Sequence, residues 1–328
     1  MKLFYDADAD LGVLKGKTVA IIGFGSQGKN QGLCMRDSGV KVVYGLREGG
    51  KSFENAKKEG FEVYPISEAV QKADIVHVLI PDETHNEVFE QQIKPKLSAG
   101  KTLSFSHGFS IVFKQIVPPK NVDVLMVAPK SPGSEERKRF LEGFGVPGLI
   151  AIKQDASGKA KETALAMAKA CGFTRAGVLE CTFEQEAYED LFGEQTVLCG
   201  GVVELIKAGF ETLVDAGYPP EMAYFECLHE MKLIIDLIYA GGIEGMYAGV
   251  SNTAEFGGRT VGSKIINSES KKAMKEALRR VESGEFAKQW MDEYKAGLPN
   301  FKKWKEEGKN HLIEKTGEKI RALFSKKA

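Results

Sequence analysis

Lys17–Gly28 reads KTVAIIGFGSQG, and this stretch decides the fold. A short β-branched apolar run leads into Gly23, Gly25 and Gly28 in a GxGxxG spacing, and helix-compatible sequence follows to Ser38. The three glycines serve a tight turn, a close approach of backbone to a pyrophosphate, and close packing of helix on strand. The helix amino terminus then faces the phosphates. A preceding strand and a second strand, KVVYGL from Lys41, separate this pattern from an ordinary glycine-rich turn.

Working outward, the end of that second strand is where an NAD site would place an acid on the ribose 2'-hydroxyl. This chain has Leu46 and Arg47 there, followed by a loop with Lys51 and Ser52. A planar fork, a point charge and a hydroxyl suit a 2'-phosphate, so the loop predicts NADP(H). Glu48 in the same loop is compatible with NAD. The alternation continues with a helix over Ser52–Glu59, a strand over Asp74–Ile80 and a helix from Thr84. Strands alternating with helices imply a parallel sheet with right-handed crossovers, whose ligand lies beyond the carboxyl ends of the strands. The residues following strands therefore matter most: Asp82, Glu83, Thr84 and His85; then Ser106, His107 and Gly108; then Pro129, Lys130 and Ser131. His107 suits a general acid or base, or a structural hydrogen-bonding role. Lys130 suits either orientation of a carboxylate or plain surface exposure. Ser131–Phe140 reads as a mobile loop, GFGVPGLIAIKQ as a last strand, and Ser157–Ala170 as a helix.

Past about Cys181 strand-like runs give way to helical periodicity. The fold expected is a doubly wound, Rossmann-type α/β domain over residues 1–182, followed by an all-helical domain over 183–328. In the second half DLFGE and ECLHE place Asp190 with Glu194, and Glu226 with Glu230, at i and i+4 within apolar sequence. Such pairs share one helix face. The helices around them, Gln195–Asp215 and Pro220–Ala240, are apolar nearly all round, which predicts burial both in a central bundle and against a second copy of the chain. Buried carboxylates need a cation, and oxygen donors without a His or Cys pattern favour a hard divalent ion such as magnesium. GVSNTAEFGG reads as a polar loop whose Ser251 and Thr253 are either substrate contacts or solvated hydroxyls. From Lys271 onward mixed charges give a solvent-facing helical tail.

Acidic and basic side chains number 45 each, which gives no electrostatic case for nucleic acid or a polyanionic partner and points to a small ligand. Five cysteines form no CxxC pair, so a disulfide framework or zinc site is not expected. No secretory pattern and no stretch of membrane-spanning length is seen, and a cytoplasmic protein is the expectation.

GFGSQG, GLREGGKS, PDET, SHGF, APKSPG, EGFGVP, DLFGEQTVLCGG, AGFETLVDAGYPPEMAYFECLHE and SNTAEFG together resemble ketol-acid reductoisomerase of the short, class I form. The resemblance implies rearrangement of 2-acetolactate or 2-aceto-2-hydroxybutyrate, followed by NADPH reduction to a dihydroxy acid. It implies two Mg2+ held by Asp190, which bridges them, Glu194, Glu226 and Glu230. His107 and Lys130 become active-site residues, Glu230 a group able to move protons, and Ser251 a contact of the substrate carboxylate. Phe24, Gly25, Ser26, Gln27, Arg47, Ser52, Asp82 to His85, and Gly133 become cofactor contacts. A homodimer with the two acidic motifs meeting across subunits is also implied. Departures from the family pattern are Lys29, Asn30 and Gln31 after the glycine turn, expected to matter little, Gly50 in the cofactor loop, and SEERKRF after APKSPG. Alternatives are an NADP-dependent hydroxyacid dehydrogenase without metal and a dinucleotide-sensing regulator in which the acidic groups are structural.

Overall fold

The computed structural model describes residues 2–324 and divides into two compact units, Met1–Glu189 and Asp190–Ala328. The first unit is built on nine strands: β1 Leu3–Phe4, β2 Thr18–Ile22, β3 Lys41–Gly45, β4 Glu62–Tyr64, β5 Ile75–Val78, β6 Thr102–Phe105, β7 Asp123–Pro129, β8 Gly148–Gln154 and β9 Val178–Glu180. Their order across the sheet is β1-β9-β8-β7-β6-β5-β2-β3-β4. All pairings from β4 through to β7 are parallel. β2 lies between β3 and β5, so the chain reverses its direction of travel across the sheet at the carboxyl end of β2, where open α/β sheets bind their ligands.

β2 is buried along its whole length because both faces of the sheet are covered. Val19 and Ile21 point into one apolar cluster with Tyr44, Leu125 and Met167. Ala20 and Ile22 point into the other with Val76, Phe105 and Met126. This alternation is the period-two pleat of a strand sandwiched between layers.

The Rossmann-type expectation is met, with three corrections of detail. The strand foreseen in GFGVPGLIAIKQ is β8, but it runs antiparallel to β7 and is not the last, since β9 pairs with it and β1 pairs antiparallel with β9. Two- and three-residue strands are too short to show periodicity in sequence. Ser131–Phe140 is not a mobile loop: Gly133–Leu141 is a helix whose buried positions are Gly133, Glu136 and Phe140. With one apolar side chain among those three, the segment has no readable apolar period. The helix placed at Ser157–Ala170 spans Ala160–Ala170.

The second unit is helical. A π-helical turn, Glu194–Leu198, continues from the helix Phe183–Gly193 and leads to Gly201–Asp215. Pro220–Tyr224, a second π-helical turn at Phe225–His229, and Met231–Ala248 follow, then Asn252–Ile265, Ser268–Glu282, Glu285–Lys295, Pro299–Asn310 and Leu312–Phe324. The last four residues of the charged tail lie outside the described ones. The π turns show in their i to i+5 bonds: Cys199 N–H donates to Glu194 O at 2.9 Å, and Glu230 N–H to Phe225 O at 3.0 Å. Gly200 permits the first, because a Cβ there would lie 1.9 Å from Gln195 O.

The expected burial of the acidic helices is not met within one chain. The unit's buried cluster is small, comprising Phe210, Ala223, Tyr224, Ile313 and Ile320. Met231–Ala248 has no buried residue, and Leu233, Ile235, Tyr239 and Ile243 are exposed. Asp190 and Glu194 are half-buried; Glu226 and Glu230 are exposed. A helix apolar on every side is buried only if another layer covers it, and the described residues do not supply one. GVSNTAEFGG is likewise not a loop: Ser251 caps the helix Asn252–Ile265, accepting from Ala254 N–H at 3.2 Å, and Thr253 is exposed within its first turn. No single helix among the described residues is long and apolar enough to cross a membrane.

Candidate active site

The glycine turn follows β2 directly. Gly23 has φ of 112°, and a Cβ on it would meet Leu79 O at 2.4 Å, so only glycine fits. A Cβ on Gly28 would meet Gly23 O at 2.4 Å, whereas one on Gly25 would meet nothing within 4 Å. Gly28 thus carries the close packing and Gly25 borders open space above the helix Ser26–Asp37, whose N-cap receives no side-chain hydrogen bond. Backbone N–H groups left open at a helix start make an anion site. The segment after β7 closes on this turn: a Cβ on Gly133 would lie 2.4 Å from Ser26 O, and Gln27 Nε2 donates to Ser131 O at 3.1 Å. Phe24 is half-buried and packs edge-on to Tyr44.

Arg47, Glu48, Lys51 and Ser52 are exposed, and Lys51 and Ser52 begin the helix Lys51–Lys58 behind the N-cap Gly50. A cationic pair and a hydroxyl therefore stand at a second helix start. Asp82–Thr84 forms a 3-10 turn held by a bond of 2.7 Å from Thr84 Oγ1 to Pro81 O, with Asp82 and Glu83 half-buried. The His85 ring is buried inside it, with Nε2 bonded to Ile80 O at 2.9 Å and Nδ1 to Ser110 Oγ at 2.7 Å. A carbonyl only accepts, so Nε2 carries the proton and Nδ1 accepts from Ser110. Burial lowers the His85 pKa and keeps the ring neutral. The ring braces the turn from within.

At the ends of β6 and β7 the structure brings together His107 and Lys130 through a residue that sequence reasoning missed, Glu186. This carboxylate is 2 % exposed. It accepts from Gly108 N–H at 2.7 Å, lies 3.1 Å and 3.2 Å from His107 Nδ1 through its two oxygens, and 3.8 Å from Lys130 Nζ. Both Glu186 oxygens face His107 Nδ1, and a carboxylate accepts, so Nδ1 is the donor of this contact. Gly108 is needed at this junction, because a Cβ there would meet Phe183 O at 2.6 Å.

Glu186 stands one helical turn before Asp190 on the continuous helix Phe183–Gly193. His107, Glu186 and Asp190 each present one ligand atom, and these atoms lie within 4.8 Å of one another. Glu194, a further four residues on, begins the first π turn, so three carboxylates recur at i, i+4 and i+8. The signal for Glu186 was present in that spacing, one turn upstream of DLFGE. Glu226 lies inside the second π turn and Glu230 just after it, placing both acidic motifs at helix irregularities of a kind frequent at functional sites. The donors are predominantly carboxylate oxygens, which suit a hard divalent cation.

A dinucleotide turn at the switch point of a doubly wound sheet, a histidine and lysine gathered on one buried carboxylate, and an acid-bearing helical unit define a pyridine-nucleotide-dependent oxidoreductase. Residues 13–177 match the acetohydroxy acid isomeroreductase NADPH-binding domain, and residues 183–326 match the ketol-acid reductoisomerase C-terminal domain. The chain belongs to the ketol-acid reductoisomerase family. It is 59 % identical to the ketol-acid reductoisomerase (NAD(+)) of uncultured archaeon GZfos26G2, with 100 % of both chains covered. It is 60 % identical to the ketol-acid reductoisomerase (NADP(+)) of Akkermansia muciniphila, covering 99 % of this chain and 100 % of that one. A solved NADH-preferring ketol-acid reductoisomerase from an uncultured archaeon superposes with a TM-score of 0.97 at 59 % identity, covering 99 % and 100 % of the two chains. Family membership sets aside both the metal-free hydroxyacid dehydrogenase and the regulator.

Proposed function

We propose that this chain converts 2-acetolactate or 2-aceto-2-hydroxybutyrate to the corresponding 2,3-dihydroxy acid, by alkyl migration and then reduction by NADPH. The observation that carries this reading is the buried Glu186 carboxylate holding His107, Lys130 and the Gly108 N–H together, one turn from Asp190. Asp190, Glu194, Glu226 and Glu230 would hold two Mg2+, which supply Lewis acidity to the substrate's hydroxyl and carbonyl oxygens. Glu186 orients the His107 ring through Nδ1 and holds the Lys130 Nζ at the same locus, where the two side chains can move a proton and orient the substrate. The Ser251 hydroxyl uses its oxygen as a helix cap and keeps its hydrogen to donate to a substrate carboxylate. Glu230, exposed in the single chain, is a second proton carrier.

For the cofactor, Gly23, Phe24, Gly25, Ser26, Gln27, Gly28, the Asp82–His85 turn and Gly133 border the dinucleotide. Arg47, Lys51 and Ser52 favour the 2'-phosphate of NADPH, against a named relative that is an NAD(+) enzyme. A second copy of this chain is the proposed cover for Leu233, Ile235, Tyr239 and Ile243, making the working enzyme at least a homodimer.

The test is an assay of purified protein with acetolactate, Mg2+ and each cofactor in turn. Magnesium-dependent oxidation of NADPH yielding dihydroxyisovalerate is expected. No turnover of acetolactate, with metal-independent reduction of another 2-keto acid, overturns the proposal.

A further inference from the structure

Beneath the glycine turn, in the interior of an otherwise apolar sheet, lies a chain of polar side chains that the proposed chemistry leaves unused. Gln31 and His77 are both fully buried, as is Ser104. His77 sits on β5 directly opposite Ser104 on β6. Its Nδ1 lies 2.9 Å from Ser104 Oγ and its Nε2 2.9 Å from Gln31 Oε1. Gln31 Nε2 lies 3.0 Å from both Gln27 Oε1 and Ser106 Oγ.

The polarity of this chain follows from its two ends, each of which is a backbone carbonyl. Ser131 O only accepts, so Gln27 presents Nε2 to it at 3.1 Å and turns Oε1 toward Gln31. Val127 O only accepts, so Ser106 Oγ spends its one hydrogen there at 2.8 Å and must itself receive one. The two N–H groups of the Gln31 amide meet both demands, with His77 Nε2 a more distant second neighbour of the Ser106 hydroxyl at 3.4 Å. Gln31 Oε1 then faces His77, which must donate from Nε2 and accept from Ser104 at Nδ1. The Ser131 carbonyl thus fixes the orientation of Gln27 and, through it, that of Gln31 and the tautomer of His77. Burial lowers the His77 pKa to about 4, which keeps the ring in the neutral form that this assignment requires.

We propose that Gln31 and His77 are positioning residues for the dinucleotide, acting through Gln27 and Ser106 to fix the glycine turn against the segment Ser131–Gly133. Gln27 stands in the helix's first turn, where Ser131 O holds its Nε2 and Gln31 supports its Oε1 from beneath. Ser106 immediately precedes His107, so the same network sets the end of β6. On this proposal Gln31 matters to cofactor binding, where the sequence reading expects little effect from it. A fully paired buried network holds its members in one arrangement, whereas losing one member leaves the others to compete for partners.

This inference rests on the dinucleotide reading above. The experiment measures NADPH affinity by titrating the fluorescence of the bound cofactor, alongside KM for acetolactate and the Tm of the ligand-free protein. Wild type is compared with Gln31→Met, Gln31→Glu and His77→Met. Gln31→Met loses both donors, and so does Gln31→Glu, which keeps the acceptor facing His77; each is expected to weaken NADPH about tenfold or more, with KM for acetolactate within twofold. His77→Met keeps both donors but releases the amide to rotate, and a smaller loss of roughly threefold is expected. A lowered Tm with NADPH affinity within twofold of wild type in Gln31→Glu and His77→Met overturns the proposal, since that is the mark of a purely structural network. Failure of wild type itself to bind NADPH would instead overturn the dinucleotide reading. If Gln31→Met does not fold, the other two variants carry the test.

Discussion

Glu136 should make the protein less stable as pH rises, and Glu136→Gln should abolish that dependence. The side chain is 1 % exposed on the helix Gly133–Leu141, and neither carboxyl oxygen has a hydrogen-bond partner. Its neighbour Arg137 is engaged elsewhere, with Asp37 at 2.5 Å and Cys34 Sγ at 3.8 Å. Burial therefore pushes the Glu136 pKa up from 4.5 to about 8. Between those two values the folded chain keeps a proton that the unfolded chain has released, so stability declines across that window and levels off above it. Over about 3.5 decades of proton concentration, at about 1.36 kcal/mol each, the loss is on the order of 5 kcal/mol at most. Glutamine has the same shape and does not ionise, so the difference between variant and wild type cancels the titration of every other group. Thermal melts of the two proteins from pH 5 to pH 9 should show a Tm gap that widens in favour of the variant, by roughly 10 °C for a unit of this size. A gap that stays constant with pH, or one that narrows, would refute the account of Glu136 as a neutral buried acid.

Glu186→Gln weakens two charge-assisted bonds at about 1–2 kcal/mol each, so kcat should fall by roughly 30- to 1000-fold, with NADPH affinity retained in a binding titration. Removing divalent cations with a chelator should stop turnover of acetolactate while NADPH still binds, and Mg2+ should restore it; turnover that survives chelation would contradict the roles given to Asp190, Glu194, Glu226 and Glu230. Arg47→Ala should lower kcat/KM for NADPH by about tenfold or more and leave that for NADH nearly unchanged, as a loss confined to the 2'-phosphate requires. Equal losses with both cofactors would show that Arg47 does not read the phosphate.

What the sequence revealed divides along physical lines. The glycine turn was legible because strand, glycines and helix are consecutive, and each glycine answers a local demand of the backbone. The parallel core of the sheet was legible for the same reason: β2, β3, β5, β6 and β7 are apolar runs long enough to read. β1 and β9 were not, since their pairing is set by neighbours far away in the chain. Gly133–Leu141 escaped because one of its inward positions is a glutamate, which periodicity assigns to solvent. Glu186 was not legible, because it stands in FEQEAYED, where Glu184, Glu186, Glu189 and Asp190 crowd together and its spacing to Asp190 does not stand out. The network of Gln31, His77, Ser104 and Ser106 could not be read at all, because its members come from one helix, two strands and the residue that follows β6, which only the fold brings together. The acidic helices have a composition that calls for cover, and the described residues of one chain do not bury them. Composition reports what must be covered and is silent on which molecule covers it.

The exposed face of Met231–Ala248 therefore has a consequence at the bench. If copies of this chain complete one another, specific activity becomes a function of enzyme concentration, and a progress curve begun by dilution should bend downward as subunits part. Rates extrapolated from dilute assays would then describe a mixture whose composition drifts during the measurement. Two preparations of identical sequence could disagree only because one was stored more concentrated than the other.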